Sequence, residues 1–154
     1  MTQTFNDILA TLENSKSLEV GNQASTNEII FDQDFSISVF WDLNFSNFNF
    51  DKTILRKSEF IDSTFKNCNI INSSLAKAEF DNNLFKNCQF KQVDFGWSYF
   101  ADCEFLETKL DDINFEATII SNLKIKDTTV LNLHFSERFP MNFWRLKEYI
   151  KMSG

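Results

Sequence analysis

From Phe35 to Phe135 every fifth residue is large and apolar. The series runs Phe35, Phe40, Phe45, Phe50, Leu55, Phe60, Phe65, Ile70, Leu75, Phe80, Phe85, Phe90, Phe95, Phe100, Phe105, Leu110, Phe115, Ile120, Ile125, Val130, Phe135, which is 21 positions without an exception. Phe, Leu, Ile and Val make up about a third of the chain. Chance would therefore produce such a run with odds of roughly one in ten billion. A period of five is neither that of a helix nor that of a plain strand. It fits a three-residue strand followed by a two-residue corner, repeated along the chain.

If the large residue points inward, the residue two places earlier must do so as well, because strand side chains alternate. Those positions are mostly small: Ser38, Thr53, Ser58, Ser63, Cys68, Ser73, Ala78, Cys88, Ser98, Cys103, Thr108, Thr118 and Thr128. Large beside small lets stacked layers interlock at native density. The second residue after the large one falls at the corner, and twelve of the twenty such positions from 37 to 132 are Asn or Asp. These tolerate tight backbone geometry and hydrogen-bond locally. They stand in for the usual turn residues, of which this chain has only 3 Gly and 1 Pro. Leu43, Phe48, Ile113, Leu123 and Leu133 are bulky where a small residue is expected, which predicts a wider or bulged first and last coil.

Stretches such as Ser63-Thr64-Phe65-Lys66-Asn67, Cys68-Asn69-Ile70-Ile71-Asn72, Cys88-Gln89-Phe90-Lys91-Gln92 and Cys103-Glu104-Phe105-Leu106-Glu107 resemble the pentapeptide-repeat family over about two thirds of the chain. The resemblance implies an all-β solenoid, a right-handed quadrilateral β-helix with four pentads per coil. The repeats then make about five coils over 33–137 in a single domain, preceded by a linker at 15–32. Solenoid ends need caps. Thr4 and Asp7 can form a capping box, and Phe5, Ile8, Leu9 and Leu12 form one helical stripe, so 1–14 reads as an N-terminal capping helix. Pro140 suits a first helical turn, and Phe139, Phe143, Leu146 and Ile150 share a face, so 138–152 reads as a C-terminal helix. That helix either seals the last coil or, as in relatives that bind topoisomerases, joins two subunits; Trp144 is the position that separates the two.

The net charge is −7 and the pI about 4.7, which disfavours direct nucleic-acid binding and favours a protein partner with a basic surface. No apolar run approaches the length of a membrane span, no basic and apolar leader opens the chain, and three cysteines without metal-like spacing suit a reducing compartment. The expectation is a cytoplasmic protein without a membrane, metal or cofactor partner. Cys68, Cys88 and Cys103 all fall at the small inward position, and His134 is the only histidine. With no phosphate loop, nucleophile elbow or metal-binding His pair, catalysis is not expected.

Sorting pentads by a 20-residue repeat isolates one charged face. Around Phe40, Phe60, Phe80, Phe100 and Ile120 it displays Asp42, Glu59, Asp62, Glu79, Asp81 and Asp102, and no Lys or Arg. Trp41, Ile61, Tyr99 and Ile119 lie among these acids, and Trp97 sits on the neighbouring corner. Exposed aromatics inside a field of one sign are typical of interaction surfaces. The candidate docking set is therefore Trp41, Asp42, Glu59, Ile61, Asp62, Glu79, Asp81, Trp97, Tyr99 and Asp102. Two functions remain open: a non-catalytic binder of a basic protein, in an immunity-like, antitoxin-like or scaffold role, and a mimic of duplex DNA that occupies a type II topoisomerase.

Overall fold

The computed structural model describes residues 19–135. They form an all-β solenoid in which each strand pairs in parallel with the strand 20 residues away. Val39, Phe40 and Trp41 lie against Glu59, Phe60 and Ile61, and these against Glu79, Phe80 and Asp81. The same offset holds from Tyr99–Ala101 to Ile119–Ser121 and from Thr64–Lys66 to Leu84–Lys86. One turn is thus four pentads. We number the coils I (19–38), II (39–58), III (59–78), IV (79–98), V (99–118) and VI (119–135). Four faces follow, A to D, with inward residues Phe60, Phe65, Ile70 and Leu75 in coil III.

The described solenoid has about six turns, one more than the repeat count predicts. The extra turn is coil I. Part of the stretch expected as a linker forms strands Glu19–Thr26 and Ile29–Phe31, which pair with Val39–Ser46 and Asn49–Asp51. Val20 and Ile30 fill inward positions and are buried, so the stretch behaves as repeat despite its polar composition. The helices expected at 1–14 and 138–152 lie outside the described residues. The bulky inward residues cause no slip: Leu43, Phe48, Ile113 and Leu123 are buried, Leu133 packs against the core, and the 20-residue register is kept.

Phenylalanine columns run up the interior. Phe40, Phe60, Phe80 and Phe100 stack with ring centroids 4.9, 5.1 and 4.6 Å apart, close to the strand spacing. Phe65, Phe85 and Phe105 repeat this at 5.0 Å on face B. The small inward residues serve the backbone as well as the packing. The Ser58 hydroxyl donates to the Phe35 carbonyl (2.9 Å) and accepts from the Ser38 amide (3.2 Å), joining coils II and I. Asn83 donates to the carbonyls of Phe60 (2.7 Å) and Asp81 (3.1 Å) and accepts from the Ser63 amide. Polar groups that the corners would leave buried and unpaired are satisfied in this way. Cysteine fills the same role: the Cys88 thiol donates to the Phe65 carbonyl at 3.3 Å and Cys103 to Ala101 at 3.2 Å.

Every fifth residue from Asn27 to Asn132 has a left-handed backbone, with φ between 50° and 63°. Asn and Asp occupy most of these corners, as expected, and their side chains bridge coils. Asn47 donates to Asn27 (3.1 Å), Asn67 to Asn47 (3.1 Å) and Asn87 to Asn67 (2.8 Å), an amide ladder along one edge. The corner after face D is different. It carries Ile37, Lys57, Lys77, Trp97 and Ala117 in the left-handed position. There the amides of Ala78, Ser98 and Thr118 bond back to the carbonyls of Leu75, Phe95 and Phe115 at 3.1–3.2 Å, closing tight turns.

Candidate docking face

Strand pairing on face A stacks its outward side chains in two columns. One reads Glu19, Val39, Glu59, Glu79, Tyr99 and Ile119; the other reads Gly21, Trp41, Ile61, Asp81, Ala101 and Ser121. A third column, on the corner beside them, holds Asp42, Asp62, Asn82, Asp102 and Asn122. The backbone under these columns is pinned by inter-coil bonds of ladder type. Glu79 N donates to Ser58 O (2.9 Å), Tyr99 N to Ala78 O (3.0 Å) and Asp62 N to Asp81 O (3.0 Å). These bonds fix the spacing of the columns from coil to coil.

Glu59 lies directly against Glu79, one strand spacing away, and both are exposed. Like charges opposed across a ladder destabilise it. Among the described residues, no cation lies within ion-pairing distance of Glu59, Glu79 or Asp81. The corner acids are treated otherwise. Asn82 donates to Asp62 at 2.7 Å, and Asn122 donates to Asp102, so each of these carboxylates already holds an amide from the coil that follows.

The apolar members of the predicted set also divide. Trp97 is 66% exposed and Tyr99 39%, and Ile119, next in the Tyr99 column, is 51% exposed. Ile61 is only half-buried. Trp41 is spoken for within the chain: its indole lies over Gly21, so close that a Cβ added there would come within 1.8 Å of the ring. Trp41 covers coil I and presents part of its surface to solvent.

The structure adds members that the charge sorting left out. Glu19 extends the glutamate column into coil I, hidden because its segment reads as linker. Lys57 and Lys77 occupy the left-handed corner on one side of the acidic strip. On the other side Lys66 stacks on Lys86 across face B. The 20-residue offset that isolates the acids also stacks these lysines, so this border was available from the same count.

All three thiols are buried, and the hydrogen bond with Cys88 holds the Cys68 thiol below the usual range. Burial pushes the Cys103 thiol up to about 11, and the adjacent Cys68 thiol together with burial raises that of Cys88. His134, on face D, pairs its Nε2 with Asp112 at 2.8 Å on the surface.

A model of the pentapeptide repeat region matches residues 33–115. No curated protein matches the chain. Among solved structures the chain is similar to a pentapeptide repeat protein, Rfr23, from the cyanobacterium Cyanothece 51142, with 9% identity and a TM-score of 0.42 over 86% of this chain and 100% of that one. It is similar to trypsin-treated QnrB1, a plasmid-mediated fluoroquinolone resistance protein, with 13% identity and a TM-score of 0.38 over 76% of this chain and 74% of that one. It is also similar to HetL, involved in heterocyst differentiation regulation in the cyanobacterium Nostoc sp. strain PCC 7120, with 11% identity and a TM-score of 0.35 over 82% of this chain and 94% of that one.

Proposed function

This chain belongs to the pentapeptide repeat family, and from that premise we propose that it acts without catalysis, by docking a protein partner with a basic surface on face A. One observation carries the reading. Glu59 and Glu79 are stacked at a cost to stability and, with Asp81, lack a cationic neighbour, while Trp97 and Tyr99 stand exposed beside them. A partner that supplies Lys or Arg relieves the repulsion and buries the aromatic surface in one step. Neutralising or scaffolding a cytoplasmic partner are the roles that suit such a surface.

Duplex mimicry is the competing reading. It calls for acidic surface broader than one side of the shaft, and Lys57 and Lys77 on one corner and Lys66 and Lys86 on face B weigh against it. Reversing Glu59, Asp62, Glu79 and Asp81 to Lys, all exposed side chains, is the test. The proposal expects capture of a partner from the native lysate to be lost in the reversed variant. Undiminished capture would overturn it. Protection of DNA gyrase supercoiling from a fluoroquinolone by the wild-type chain would favour mimicry.

A further inference from the structure

Face A changes character along its length. Coils III and IV present Glu59, Asp62, Glu79 and Asp81. Coils V and VI present Tyr99, Ala101 and Ile119 on the strands, with Asp102 the one acid on the corner beside them and Trp97, at the end of coil IV, and Ala117 on the opposite corner. Acidic and apolar halves thus follow one another along the shaft axis. The strand part of the face is narrow, three residues or about 10 Å across, with Lys57 and Lys77 on the corner at one edge and Asp42, Asp62 and Asp102 on the corner at the other. That width matches one α-helix with its side chains, about 10–12 Å.

We infer that face A receives a single amphipathic helix of the partner, lying along the shaft, with Lys or Arg in its first turns over Glu59, Glu79 and Asp81 and apolar side chains in its later turns over Trp97, Tyr99 and Ile119. The inference rests on the reading of face A as the docking surface. Three physical matches support it. Cations three or four residues apart on a helix are separated by about 4.5–6 Å along its axis, and the stacked glutamates repeat at about 4.8 Å. The positive end of the helix dipole falls on the acidic coils. Trp97 and Tyr99 are exposed where the halves meet, within reach of an arginine at the junction.

The test uses the full chain and two labelled helical peptides of about 18 residues, long enough to span roughly 27 Å. They have identical composition, one ordered basic then apolar, the other apolar then basic. Fluorescence anisotropy should show the first binding at least about tenfold more tightly. That preference should vanish in the exposed-site variants E59K/E79K/D81K and W97A/Y99A. Equal affinity for the two orders overturns the directed-helix inference and leaves the docking face standing. Failure of both peptides to bind does the same, provided the wild-type chain still captures a partner that the charge-reversed chain does not. Peptide affinity undiminished in E59K/E79K/D81K overturns both the inference and the docking face.

Discussion

Ile37 holds φ at 63° with a β-branched side chain, 61% exposed, in a conformation that most corners of this chain reserve for Asn or Asp. Ile37→Asn should therefore stabilise the protein by about 1 kcal/mol, read as a higher urea midpoint with an unchanged slope. The opposite change at a well-matched corner, Asn67→Val, should cost about 2 kcal/mol, since it loses both rungs of the amide ladder and strains the backbone. Thr53 is fully buried and its hydroxyl has no partner, whereas the equivalent groups of Thr108 and Thr128 bond to carbonyls. Thr53→Val should gain up to about 1 kcal/mol, and Thr108→Val should lose about as much. At this scale the sequence was readable wherever residue type and position agree. The corner role of Asn47, Asn67 and Asn87 follows from chemistry and spacing together. That of Ile37 and Trp97 follows from spacing alone, because the fold imposes the turn on whatever residue stands there. The seat of the Trp41 ring on Gly21 was not readable, since it depends on the side chain turning toward coil I rather than toward solvent.

Each ring in a stacked column is packed above and below, so a deletion in the middle removes two contacts. Phe80 lies 5.1 Å from Phe60 and 4.6 Å from Phe100, and Phe80→Ala should cost about 3–5 kcal/mol. Val130, partly buried in coil VI, should cost about 1–2 kcal/mol on the same truncation, so paired urea titrations give a gradient along the shaft. The thiols inside these columns should resist a thiol reagent at pH 8 in the folded protein and react together on unfolding, because each is buried and Cys103 remains protonated there. The columns were legible from every fifth residue, and coil I shows where that reading stopped short. Its inward series, Val20 then Ile30, keeps the phase of five, but Ser25 breaks the large apolar run and Gly21, Asn22 and Gln23 look like loop. Pairing to the next coil rescues such a stretch, and pairing partners 20 residues away leave no local signature. The acids of face A were legible for the same reason that Phe80 was, since a fixed offset places side chains over one another. Their hydrogen bonding was not: Asp62 is held by Asn82 and Glu59 by no described neighbour, a difference that depends on side-chain reach.

The offset of 20 makes length a stricter constraint on the whole molecule than composition. Removing 59–78, one full turn, should leave a folded and shorter solenoid, because Val39–Trp41 would then face Glu79–Asp81 in the original register. Removing 64–68 alone, a quarter as many residues, should be worse, since a three-sided turn cannot stack on four-sided neighbours. Circular dichroism and thermal melts of the two deletions check the order. Coils touch only the coils beside them, so stability is a sum over neighbours, as in other repeat architectures. Under mechanical load applied at the two ends, the same neighbour-only wiring makes the shaft a chain of fuses of equal length. Each rupture would pay out 20 residues, about 65 Å of slack, and a force–extension trace should show evenly spaced teeth where a globular domain of this size gives a single break.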